Sequence, residues 1–133
     1  MPGELWLLLT GWLVWTQRVL RAVRRERRWR SRFPVNDDGI VIGAESFTLE
    51  AGGARAILLL HGYNDTPQSV LPVARVLQAA GWTVRAPLFP GHGRSLEDFD
   101  VWSGQELLAH ARAEYAALRE THSTVVVAGL SMG

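Results

Sequence analysis

Read for its hydrophobic and polar positions alone, the chain opens on thirteen residues without a charge, Leu5 to Gln17, and runs on into an arginine-dense stretch from Arg18 to Arg32. Trp12, Trp15, Val19 and Val23 recur at helical spacing across that junction, so residues 1–32 are predicted to be helical with an apolar side. The pattern then changes. Glu45 to Glu50 alternates apolar and polar residues, Ala51-Gly-Gly-Ala54 can turn tightly, and Arg55 to Leu60 is almost wholly apolar. This predicts a hairpin feeding a buried central strand. Ser69 is placed to cap a helix running to Ala80, with Pro72 in its first turn and Gly81 just past its end. Trp82 to Leu88 reads as the next strand. Ser103-Gly-Gln-Glu106 is a capping box that opens a long helix with Leu107, Ala111, Tyr115 and Leu118 on one face, and Thr124 to Ala128 is a β-branched apolar strand. Strands alternating with helices of this length make βαβ units: an α/β fold with a mostly parallel sheet and flanking helices, preceded by an apolar, arginine-rich helix.

Charge divides the chain further. Residues 1–32 hold eight arginines against Glu4 and Glu26, net +6, whereas residues 33–133 hold six arginines against eleven acids, net −5, so the overall +1 conceals two unlike segments. Phe33 to Ile42 gathers Pro34, Asn36, Asp37, Asp38 and Gly39, and residues 33–44 are therefore expected to be a linker between the first segment and a globular part over 45–133. A secretory peptide carries its positive charge before the apolar run, and here the arginines come after it, which argues against cleavage and export. The apolar run is also short for a span, since a bilayer crossing takes about 20 residues. What remains is a marginal anchor lengthened by snorkelling of Arg18 and Arg21, an amphipathic helix in the headgroup layer, or a helix packed on the globular part. For either membrane form the expectation is association at the cytoplasmic face, with the arginines kept on that side. Nucleic acid is not expected as a partner, because the remaining 101 residues are net acidic and carry no recognition motif. The chain has no cysteine, which excludes disulfides and thiolate metal sites, and no lysine. Nothing in it sets an oligomeric state.

The chemistry lies at the end of the chain. The Thr124 to Ala128 strand drives straight into Gly129-Leu-Ser-Met-Gly133, a Gly-x-Ser-x-Gly pentapeptide. Five such common residues can meet by chance; the strand in front of them gives them meaning. A serine on a sharp turn at the end of a buried strand leaves no room for side chains two positions before and after it, and Gly129 and Gly133 supply that room. Ser131 then stands clear of the sheet edge, with the backbone N–H of Met132 facing any anion formed beside it.

Together with Leu58-Leu-Leu-His-Gly-Tyr-Asn-Asp-Thr-Pro67 and the Gly91-His-Gly-Arg-Ser95 loop, the pentapeptide makes residues 45–133 resemble the α/β-hydrolases. The resemblance is greatest to the bacterial monoacylglycerol lipase, carboxylesterase and serine-aminopeptidase-like branch. It implies a serine ester hydrolase that takes small-molecule acyl esters through an acyl-enzyme on Ser131, with the backbone N–H groups of Tyr63 and Met132 as oxyanion hole and with no metal or cofactor. Thioesterase, peptidase or C–C hydrolase chemistry on the same fold, and a non-catalytic membrane-tethered module, are the alternatives. The order of that family is serine, acid, histidine, so His61, His92, His110 and His122, all upstream of Ser131, do not match its general base. His61 and His92 are expected to hold loops, and His110 and His122 to be solvated or half-packed. Asp98 and Asp100 lie before the helix that precedes the serine turn and are not assigned as the acid. A chain of 133 residues that stops at this turn is expected to be the front part of a longer enzyme and to be inactive by itself.

Overall fold

The structure, a computed structural model, describes residues 2–99 and 101–133, so that Asp100 lies outside the described residues. It forms two compact units, Met1–Pro34 and Val35–Gly133. The first is a single helix, α1 (Pro2–Arg32), whose last turns are tied by an ion pair from Arg30 Nε to Glu26 Oε1 at 2.7 Å and by the Phe33 N–H donating to the Trp29 carbonyl at 2.8 Å. Among the described residues, no helix is long and apolar enough to cross a membrane.

The second unit is built on a four-stranded sheet of β1 (Phe47–Leu49), β2 (Arg55–Leu60), β3 (Thr83–Ala86) and β4 (Thr124–Gly129), in the order β1-β3-β2-β4. β2 pairs in parallel with β3 on one side (Ile57 opposite Val84) and with β4 on the other (Ile57 opposite Val126). The expected hairpin is therefore not formed: β1 lies antiparallel to β3, with Phe47 opposite Ala86. The reason is the apolar character of β2, which suits it to the centre of the sheet with both edges filled, leaving only the outer edge of β3 for the short, half-polar β1. The connection between β1 and β2 is held across the sheet end instead, where the Ala51 N–H donates to Thr83 Oγ1 at 3.2 Å and Gln78 Nε2 to the Glu50 carbonyl at 2.9 Å.

Strand periodicity sorts the core into two layers. Ile57 and Leu59 point to one side with Val84, Val70 and Ala74; Ala56, Leu58 and Leu60 point to the other with Phe89 and Leu118. Two helices cover these faces: α2 (Leu71–Ala79) the first, and α4 (Gly104–Thr121), which follows the short helix α3 (Leu96–Phe99), the second. Ser69 does not cap α2. Pro67, with its fixed φ, starts a 3₁₀ turn (Pro67–Val70) ahead of the helix, and Ser69 Oγ is spent inside that turn on the Thr66 carbonyl at 3.0 Å. The capping box of α4 is formed as expected, with Glu106 N–H donating to Ser103 Oγ at 3.3 Å and Ser103 N–H to Glu106 Oε2 at 2.8 Å. Tyr115 is more exposed than its helical spacing suggested, because Glu114 takes the inward position and receives Arg85 of β3 in a two-pronged pair, both contacts 2.8 Å. Those hydrogen bonds hold the Glu114 carboxyl below its ordinary range despite partial burial.

Residues 35–44 differ from a free linker. Val35 bridges to Val41, the Val41 N–H donates to the Gly93 carbonyl at 2.8 Å, Arg94 Nη1 donates to the Asp38 carbonyl at 2.6 Å, and Ala44 is buried. Turn residues suggest a linker; the loop this segment meets, around Gly93, lies too far along the chain for local patterning to show.

Candidate active site

Two strand ends meet to make the site. β2 ends at Leu60 and gives way to His61-Gly-Tyr-Asn-Asp65, and its parallel neighbour β4 ends at Gly129 and gives way to Leu130-Ser-Met-Gly133. The Leu130 N–H continues the ladder by donating to the Leu60 carbonyl at 3.0 Å, and the Gly133 N–H then closes a tight turn onto the Leu130 carbonyl at 3.1 Å. Within that turn Ser131 has φ +58°, the left-handed region that a non-glycine residue enters at a cost.

The two glycines are required by contact. A Cβ on Gly129 would overlap the Gly133 backbone, and one on Gly133 would lie 2.6 Å from the Leu60 carbonyl oxygen and 2.8 Å from that of His61. Gly62 packs against the same turn: a Cβ there would sit 3.3 Å from the Leu130 oxygen and 3.5 Å from Ser131 Cβ. The loop after β2 and the turn after β4 thus share one small space at the ends of two parallel strands. Among the described residues, neither the Tyr63 nor the Met132 N–H donates to another group of the protein.

His61 locks the first loop. It is fully buried at the end of β2, its Nε2 accepts from the Phe89 N–H at 3.0 Å, and its Nδ1–H donates to the Gly62 carbonyl at 2.9 Å. Accepting at Nε2 requires the neutral ring, in agreement with burial pushing its pKa down. His92 is also buried, with Nδ1 facing the Pro90 carbonyl at 3.2 Å, and burial pushes its pKa down too. Both rings therefore hold loops. His110 lies on α4 with its Nε2 3.9 Å from Glu114, and His122 is bound through Nδ1 beside Thr121 at the start of β4, the far end of the strand from Ser131. Asp98 accepts from Ser95 Oγ at 2.8 Å and so closes the first turn of α3.

Because His61 and His92 are neutral in the fold and titrate freely when unfolded, the unfolded chain binds more protons below about pH 6.5. Stability should therefore be full above that value and should decline as pH falls through it, until the lowered folded-state pKa values are passed. Urea midpoints measured between about pH 7.5 and about pH 5 should show the fall, and His61→Gln should flatten it.

A cleft of about 140 Å³ lies beside the Tyr63 loop, lined by Tyr63, Pro90, His92, Phe99, Trp102 and Leu107. The Tyr63 and Phe99 rings meet edge to face at 4.9 Å, and Phe99 and His92 at 4.8 Å. Sequence patterning missed this wall, since α3 is a single turn and Trp102 stands just outside the α4 cap. Among the described residues, no cluster of histidines and carboxylates is placed to hold a metal.

The chain has counterparts among known proteins. Over 94 residues, 71% of this chain, the sequence is 37% identical to the thermostable monoacylglycerol lipase of Bacillus sp. (strain H-257). It is a relative of the α/β-hydrolases. The carboxylesterase of Bacillus subtilis (strain 168) is 31% identical over 94 residues, 70% of this chain. A solved chain from work on LipS and LipT, two metagenome-derived lipolytic enzymes, superposes with a TM-score of 0.66 at 29% identity over 70% of this chain. No family model matches the chain. This α/β-hydrolase relative spans 37% and 38% of the length of the two Bacillus proteins and 38% of the solved chain.

Proposed function

We propose that residues 45–133 form the front part of a serine ester hydrolase. The observation that carries the reading is Ser131 at φ +58°, held on a turn that only glycine permits at positions 129 and 133 and packed against Gly62. In this mechanism Ser131 Oγ attacks the ester carbonyl carbon and the carbonyl oxygen becomes an anion that accepts from the N–H groups of Tyr63 and Met132. Expulsion of the alcohol then leaves an acyl-serine for water to hydrolyse. Among the described residues those two N–H groups have no acceptor, and the aromatic cleft at Tyr63, Phe99 and Trp102 offers an apolar wall for part of a small acyl ester. The names of the two Bacillus relatives support monoacylglycerols and simple carboxylic esters as the substrate class.

The proton acceptor is the missing part. His61 uses both ring nitrogens, His92 is tied at Pro90 through Nδ1 alone with its Nε2 buried and unpartnered, His110 lies on α4 beside Glu114, and His122 is separated from Ser131 by the length of β4, about 20 Å. The acid and the base of such a site would come from further residues, and the reading is tested by that requirement. A longer protein that includes them should hydrolyse p-nitrophenyl butyrate, whereas residues 1–133 alone should give no serine-dependent turnover. Turnover by residues 1–133 that is lost in Ser131→Ala would overturn the placement of the base among further residues, since one of the four upstream histidines would then serve, and turnover that survives Ser131→Ala would overturn Ser131 as the nucleophile.

A further inference from the structure

The helix α1 carries a feature the proposed chemistry does not use. Successive residues of a helix turn by about 100°, so Leu8, Trp12, Trp15, Val19 and Val23 share one side, while Arg21, Arg24, Arg25 and Arg28 share the opposite one. The apolar side is open: Trp12 is 64% and Trp15 62% exposed, with Val19 and Val23 above 40%. On the other side, the aliphatic stems of the four arginines line an open groove of about 430 Å³. Below Val23 the apolar line gives way to the Glu26–Arg30 ion pair.

From this we infer that α1 lies in the plane of a membrane surface. Its Leu8–Val23 side sits at the boundary of headgroups and acyl chains, and the guanidinium groups of its arginine side hold the phosphates of anionic lipids. The partner is fixed by chemistry. An open line of Trp, Leu and Val needs an apolar medium, tryptophan favours the interfacial layer, and four guanidinium groups on one side of the helix match phosphate oxygens by both charge and fork geometry. An in-plane position also fits where a spanning one does not. The uncharged run, about 20 Å long as a helix, falls short of a hydrocarbon core of about 30 Å, and Glu4 precedes it. The anionic cytoplasmic leaflet is the matching surface.

The lack of cysteine makes the test direct, because a spin label can be placed at single introduced cysteines with no background. In the full chain bound to vesicles one-third phosphatidylserine, labels at Leu8→Cys, Val19→Cys and Val23→Cys should be reached by oxygen and shielded from a water-soluble nickel reagent. Labels at Val14→Cys and Arg25→Cys should show the reverse. Depth that instead changes steadily along the helix, regardless of side, would mean an inserted or spanning helix and would overturn the proposal, as would uniform access by nickel. Replacing Arg21, Arg24, Arg25 and Arg28 by Gln should lower partitioning onto the anionic vesicles by about 10²- to 10³-fold and leave weak binding to pure phosphatidylcholine unchanged. An equal loss on both vesicles would remove the phosphate-binding role. Tighter binding to a short DNA duplex than to the vesicles would assign the arginines to nucleic acid and overturn the inference.

Discussion

Substituting Ser131 by Ala should abolish labelling of the full-length protein by a fluorophosphonate probe and lower its ester turnover by about 10⁶-fold. The size of the effect follows from the proposed division of labour. An oxyanion hole made of backbone N–H groups survives loss of a side chain and keeps a residual catalysis of about 10³- to 10⁴-fold over water, while the covalent route disappears with the hydroxyl. The probe reads the nucleophile separately from substrate binding. Labelling retained in Ser131→Ala would place the reactive group elsewhere and sink the assignment, however the turnover changed.

The second large effect should come from a methyl group. In Gly133→Ala the new Cβ meets the carbonyl oxygens of Leu60 and His61, backbone atoms at the end of the central strand that cannot swing aside as a flexible side chain could. The turn must move. Overpacking of this kind costs about 1–3 kcal/mol, and a shift of the serine by about 1 Å is enough to lower kcat by about 10²-fold. Thermal melts and kcat on the full-length Gly133→Ala protein check both expectations together. An alanine that leaves rate and melting point untouched would show that the turn in solution is looser than the contacts described above.

The legible and illegible parts of this chain divide along a physical line. Local signals carried far: the apolar run of β2, the Ser103–Glu106 capping box and the glycines two places either side of Ser131 each act through atoms a few residues apart, and spacing alone exposes them. Partner choice was not legible where it is decided across the sheet. Glu45 to Glu50 followed by a glycine turn reads as a hairpin, yet β1 pairs with β3 because both edges of β2 are already taken by apolar parallel neighbours. The same holds for α4, where helical spacing put Tyr115 on the inner face and a guanidinium reaching over from β3 drew Glu114 there instead. The wall of Phe99 and Trp102 escaped for a third reason, since a one-turn helix and a residue outside a cap have no periodicity to read.

Sheet order has a further bearing, on when these parts come together. Ala56 pairs with Thr83 within a short βαβ unit, but Arg55 pairs with Thr124, so β4 reaches its place on β2 only by closing a loop that contains α2, β3, α3 and α4. Loop closure grows costlier with length, so the β2–β4 pairing is expected to form after the β2–β3 pairing. The serine turn rides on that late strand, and the glycine loop it meets belongs to the early one. Assembly of the two halves of the site is thus expected to wait on the longest loop closure among the parallel pairings, and a change that weakens α4 or its hold on β2 should slow recovery of activity in refolding of the full-length protein without touching any residue of the site.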